Sequence, residues 1–90
     1  MNFLFINILL IIFIMLFFVK TLTGKKFILE SEDFKTILDV KIFLNEYEGM
    51  DHTQIRLITD GKSLNDTQFL EDILNEPEKI LYMIIALRGG

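Results

Sequence analysis

Leu16-Phe17-Phe18-Val19-Lys20-Thr21-Leu22-Thr23-Gly24-Lys25-Lys26-Phe27-Ile28-Leu29 decides how this chain folds. Residues 16–19 are aromatic or branched, the composition of a strand. By the period of two, Phe17 and Val19 share one face and Leu16 and Phe18 the other. Thr21-Leu22-Thr23-Gly24 reads as a turn in which Gly24 supplies a positive φ, so a hairpin with a G1 bulge is expected. A second strand is predicted over residues 25–31. It turns Phe27 and Leu29 to the core and leaves Lys26, Ile28 and Glu30 on the other side.

Working outward, Thr36-Ile37-Leu38-Asp39 has the spacing of a capping box with Asp in place of Glu or Gln. Ile37, Val40, Lys41 and Leu44 then follow helical spacing, and Gly49 is placed to end the helix. Lys41 on that apolar face reads as a snorkelling side chain, with a partly buried ion pair as the alternative. Phe43 and Tyr47, four apart, read as an exposed pair on another face or as a partner surface.

A third strand is predicted over residues 54–59. Asp60-Gly61 is a hairpin turn leading into Lys62-Ser63-Leu64. Residues 69–74 suit one helical turn, which Glu76-Pro77-Glu78 breaks. Residues 80–85 are apolar on both faces, which predicts a central strand lying parallel to the first. The predicted fold class is therefore α+β, one mixed sheet with a helix packed on it.

Composition bounds the function. The chain has 90 residues, enough for one small domain. It has no cysteine, which excludes a disulfide framework, thiol chemistry and Cys-based metal sites. The single histidine, His52, forms no cluster and reads as a loop residue. A net charge of −4 offers no basic stripe for nucleic acid.

The apolar content is uneven. Before Lys20 the only polar side chains are Asn2 and Asn7. A spanning helix needs about 20 apolar residues, with about 17 as the lower limit. Residues 3–19 sit at that limit, but the first strand claims residues 15–19, and the twelve that remain cannot span. A secretory signal lacks its basic start and its small-residue cleavage site. Residues 1–14 are thus read as an apolar extension whose nature stays open: a leader, a partial membrane segment, or sequence upstream of a start at Met15. Residues 15–90 are the folded domain.

The other end carries Ala86-Leu87-Arg88-Gly89-Gly90. Two glycines without Cβ make a thin tail that threads a narrow groove. Taken alone, the tail is equally readable as a frayed end. The run from Phe18 to Lys25 together with Leu87-Arg88-Gly89-Gly90 resembles the ubiquitin family at both ends of its domain. Residues 15–90 have the family's length and align without a gap. Glu48-Gly49, Gln54, Arg56-Leu57-Ile58, Gly61-Lys62 and Leu64 match in between.

The resemblance implies the β-grasp fold and a non-enzymatic protein modifier that itself needs no cofactor. An activating enzyme would adenylate the Gly90 carboxylate with ATP, and the tail presenting it is Arg88-Gly89-Gly90. Conjugating and ligase enzymes would pass it to substrate lysines. Ubiquitin-binding proteins would read a patch at Leu22, Ile58, Tyr82 and Ile84, in which Tyr82 replaces a histidine and Ile84 a valine. Lys62, Lys25, Lys20 and Lys41 match acceptor lysines of chains, while Pro77 removes another. Ala86 replaces the tail arginine, as in the Rub-type modifiers, and that position sets which activating enzyme accepts the tail. Asp51-His52 replaces a proline pair. Asn75 stands where the family buries isoleucine, with Leu74 beside it to fill the gap. The implied location is cytoplasm and nucleus.

Two alternatives stay open. One is a binding-only mimic read through Leu22, Ile58 and Ile84. The other is a membrane-associated protein, for which residues 1–19 are the only membrane-contacting candidates.

Overall fold

The computed structural model describes residues 15–86, and the apolar extension and the last four residues lie outside that range. The elements are β1 (Leu16–Thr21), β2 (Lys26–Glu30), a 3-10 turn (Ser31–Asp33), α1 (Ile37–Glu48), a second 3-10 turn (His52–Gln54), β3 (Ile55–Thr59), β4 (Lys62–Ser63), α2 (Leu70–Ile73) and β5 (Lys79–Ile85). The strands form one sheet in the order β2-β1-β5-β3-β4. β1 and β5 run parallel and the other neighbours antiparallel. This is the β-grasp fold: a mixed five-stranded sheet with one main helix.

The hairpin predicted at the start is present. The Thr21 N–H donates to the Lys25 carbonyl at 2.9 Å and the Gly24 N–H to the Thr21 carbonyl at 3.0 Å. Gly24 takes a φ of +91°. The hairpin sets Phe17 opposite Leu29 and Val19 opposite Phe27, so β1 and β2 turn the same face inward. At the next hairpin Asp60 and Gly61 both have positive φ, 53° and 75°, the combination that a tight two-residue turn between twisted strands requires.

Phe17, Val19, Leu29, Ile55, Leu57, Leu81 and Met83 cover the inner face of the sheet and are buried against Ile37, Val40 and Leu44 of α1. Leu64, Leu70 and Leu74 close the core from the connections. Asn75 is exposed and Leu74 is buried, so the neighbour supplies the apolar contact at the position where the resemblance placed a buried isoleucine.

The start of α1 is closed twice. The Asp39 N–H donates to the Thr36 hydroxyl and the Thr36 N–H to the Asp39 carboxylate, which completes the capping box. The Ile37 and Leu38 N–H groups, left over at any helix start, donate to the carbonyls of Gln68 and Asp66. The same loop receives the Lys35 carbonyl through the Leu70 N–H, so helix and loop fix each other.

Two side-chain expectations are corrected. Lys41 is only 8% exposed, and instead of snorkelling its ammonium lies 2.6 Å from the Asp66 carboxylate. Phe43 is half-buried rather than exposed, because Phe34 and Phe27 meet its ring edge-on at 5.5 and 6.2 Å. Tyr47 stays exposed beside it. The strand bounds shift by one residue at several ends. Lys25 is taken up by the β1–β2 turn, and β5 starts at Lys79, one residue before the sequence suggests. Residues 16–21 belong to the sheet, and among the described residues no helix is long and apolar enough to cross a membrane.

The capping box gives a pH-dependent test. N–H groups of Thr36 first, and then of Lys35, hold the Asp39 carboxyl below its ordinary 3.8. A depressed folded value adds stability that is present above the unfolded pKa and lost as pH falls through the folded one. Asp39→Asn is expected to lower unfolding free energy by about 0.5–2 kcal/mol at neutral pH. That gap closes as the pH drops below about 4. Urea denaturation of both proteins from neutral to acid pH checks this, and a gap independent of pH contradicts it.

Candidate recognition surface and tail

The sheet has two faces, and α1 covers only one. Alternation along each strand sends Leu16, Phe18 and Lys20 of β1, Ile28 of β2, Arg56 and Ile58 of β3, and Ile80, Tyr82 and Ile84 of β5 to the uncovered face. Tyr82 is the centre. It lies opposite Lys20 on one side and Ile58 on the other, and Ile84 lies opposite Arg56. Adjacent strands are about 4.8 Å apart, so these side chains touch or nearly touch. Leu22 follows Thr21, whose register partner is Met83, just as Ile84 follows Met83.

Leu22 is 83% exposed and Tyr82 49%, while Ile58 and Ile84 are half-buried. The sheet places Ile58, Tyr82 and Ile84 of the patch expected from the sequence on one face, and Leu22 stands exposed in the β1–β2 turn. The sheet also extends the patch. Phe18 lies opposite both Ile28 and Ile80, making a second apolar row, with Leu16 beyond it. Ile28 is 63% exposed. The Lys26 ammonium sits 4.1 Å above the Phe18 ring and partly caps this row. Sequence reasoning placed Leu16 and Phe18 on this face without assigning them a role. The available signal was an apolar residue at every second position of β1 and β5 on the side away from the helix. Lone apolar side chains on a surface are ordinary, but a contiguous field of them marks a contact surface.

The four lysines differ. Lys20 and Lys62 are exposed, on β1 and on the short edge strand β4. Lys25 is half-exposed, 3.4 Å from the Glu48 carboxylate. Lys41 is committed to Asp66 in the helix–loop junction, so an acylating partner meets its amine only after that pair opens. A fifth lysine went unnoticed in the sequence. Lys79 is 6% exposed, and its ammonium donates to the Asp60 carboxylate at 2.7 Å and to the Asn75 side-chain carbonyl at 3.1 Å. It ties the Asp60-Gly61 turn to the loop before β5. His52 is half-buried in its 3-10 turn, with the Asp51 carboxylate 3.8 Å from its Nδ1.

Ala86 is the last described residue. Its N–H donates to the Gln54 carbonyl at 2.7 Å, which anchors the chain directly after β5. Arg88, Gly89 and Gly90, the conjugation residues expected from the sequence, lie outside the described residues.

A β-grasp domain whose central strand is followed in the sequence by Leu-Arg-Gly-Gly defines the class of ubiquitin-like proteins. The chain belongs to the ubiquitin family: the profile of that family matches residues 17–88. It is 37% identical over 76 residues to the ubiquitin-like protein NEDD8 of Dictyostelium discoideum, covering 84% of this chain and 99% of that protein. It is 38% identical over 76 residues to ubiquitin-like protein 1 of Schizosaccharomyces pombe, covering 84% and 97%. The NEDD8-like protein RUB1 of Saccharomyces cerevisiae is 36% identical over 72 residues, covering 80% and 94%. The chain is a ubiquitin-like protein of a modifier family that is not enzymatic.

Amine reactivity tests the placement of the lysines. Under limiting acetylation of the folded chain, Lys20 and Lys62 are expected to react fastest and Lys41 and Lys79 slowest, by about tenfold or more. Peptide mass spectrometry reads the order. Equal rates at Lys41 and Lys62 in the folded chain contradict it.

Proposed function

We propose that this chain is a protein modifier, joined through the Gly90 carboxylate to lysine amines of other proteins. One observation carries the reading. The Ala86–Gln54 hydrogen bond fixes the exit of the chain at the end of the central strand, and Leu87-Arg88-Gly89-Gly90 follow at once. A tail anchored at its root and built of glycine at its tip suits a narrow catalytic channel. The similarity to NEDD8 and RUB1 proteins supports the same reading.

The chemistry asks nothing of this chain but an acyl group. The Gly90 carboxylate attacks the α-phosphate of ATP and releases pyrophosphate. An enzyme cysteine thiolate then displaces AMP to form a thioester. A substrate lysine amine displaces the thiol and leaves an isopeptide bond. The partners are the activating, conjugating and ligase enzymes of a ubiquitin-like pathway, and proteins that read Leu22, Ile58, Tyr82 and Ile84. Lys62, Lys20 and Lys25 are the accessible acceptors for chain growth, and Lys41 is the least accessible. Ala86 selects the activating enzyme. The cytoplasm and nucleus are the proposed locations.

The test is reconstitution with ATP and, in parallel, a NEDD8-type and a ubiquitin-type activating enzyme. A reductant-sensitive thioester adduct is expected with the first. Deleting Gly90 removes it, and Ala86→Arg shifts the preference toward the second by about tenfold, or about 1.4 kcal/mol. No adduct with either enzyme, while ubiquitin-binding domains still bind the patch, overturns conjugation in favour of a binding-only mimic.

A further inference from the structure

A cavity of about 720 Å³ lies where β1 begins, between the turn after β2, the start of α1 and α2. Its apolar walls are Met15, Phe34, Phe69 and Leu74. Met15 and Phe34 pack against the core, and the Met15 carbonyl accepts the Ser31 N–H at 2.8 Å, which holds that residue in place. The Phe69 backbone is fixed by a bridge to Thr36, yet the residue is 45% exposed.

The polar groups divide by position. Asp39 lines the cavity, but its carboxylate already accepts the N–H groups of Lys35 and Thr36, so an apolar cover leaves those bonds in place. Glu32, Asp33 and Glu71 are exposed and form an acidic rim, with Lys35 as the one cation among the lining residues. Such a rim opposes an anionic lipid surface.

Residues 3–14 reach this cavity directly, because Met15 is both a wall of it and the residue to which they are bonded. Eleven of those twelve residues are apolar and none is charged. They are too few to span a bilayer, and in water such a run gains from any burial offered to it. A segment bonded to the wall of a cavity also meets it at a high effective concentration, an advantage that a free partner lacks.

We propose that this cavity is the docking site of the chain's own apolar extension, residues 3–14, which turns back from Met15 and covers Phe34 and Phe69. The acidic rim stays in water at its edge. The extension is then part of the domain's surface and not a membrane anchor, and the site is independent of conjugation.

The test is photocrosslinking in the full chain, with p-benzoylphenylalanine in place of Phe69. An equal mixture of isotope-labelled and unlabelled chain is irradiated at low concentration, alone and with vesicles of phosphatidylcholine and phosphatidylserine. After trypsin, the expected product is peptide 1–20 joined to peptide 63–79 at a residue before Met15, both peptides carrying the same isotope. The same probe at Ile28, on the open sheet face, joins residues 1–14 less often by about fivefold or more. Ile11→Asp lowers the yield from position 69 by about threefold or more, because the added carboxylate resists burial. The unfolding midpoint of each variant verifies its fold, and the probe at Glu71, exposed on the same cavity, replaces position 69 if that variant is poorly folded. Half of the joined peptides carrying mixed isotopes, which marks a second copy, overturns the proposal. So does a lipid adduct in place of the peptide, an equal yield from Ile28, or no joining to residues 1–14 from the cavity positions.

Discussion

The pairing of β5 with β1 on one side and β3 on the other is the constraint from which the rest of the domain follows. A parallel pair cannot be closed by a tight turn, so the chain between β1 and β5 must cross over. It does so through β2, α1, β3 and β4, and α1 is thereby laid across one face of the sheet. The faces then differ in kind. Leu81 and Met83 meet the helix side, while Ile80, Tyr82 and Ile84 are left to the other. The same strand sets the exit of the tail, because Ala86 is tied to Gln54 one residue after β5 ends. Core, open face and tail root are three consequences of one strand's position.

Much of this was legible in the sequence because it is local or periodic. Alternation in β1, β2 and β5, the spacing Thr36–Asp39 and the dipeptide Asp60-Gly61 each state their structure within a few residues. The patch residues are named through a family resemblance, and the sheet sets Ile58, Tyr82 and Ile84 on one face while Leu22 stays in the turn. What stayed illegible depends on distant partners. Lys41 finds Asp66 25 residues away, and Lys79 finds Asp60 19 residues away. Neither acid is marked in the sequence as the partner of a buried ammonium. Phe43 looked exposed because the helix pattern alone says nothing of Phe27 and Phe34, which arrive from β2 and from the loop after it.

The two half-buried ion pairs bear on which amines the surface offers as well as on stability. In each pair the ammonium is buried and the carboxylate exposed, so removing the acid leaves a desolvated ammonium behind, and Lys41 and Lys79 are held in place more firmly than surface lysines. Lys41 joins α1 to the loop that caps it, and Lys79 joins the Asp60-Gly61 turn, next to Lys62, to the loop before β5. The exposed lysines are thus carried on a frame that the buried ones brace. The chain spends its cations in two ways, some as struts and some as surface amines, and burial rather than position in the sequence separates them.

The central functional claim is that Gly90 becomes bonded to lysines in the cell. The direct measurement is to express tagged full-length chain and tagged chain lacking Gly90 in the native cells and purify both under denaturing conditions. Trypsin cuts after Arg88, and branched peptides carrying Gly-Gly on lysine are then counted in each sample. The account predicts such peptides with the full-length chain well above the level of the truncated control, which corrects for ubiquitin's identical remnant. Equal levels in the two samples, with the free chain fully covered by its own peptides, would contradict it.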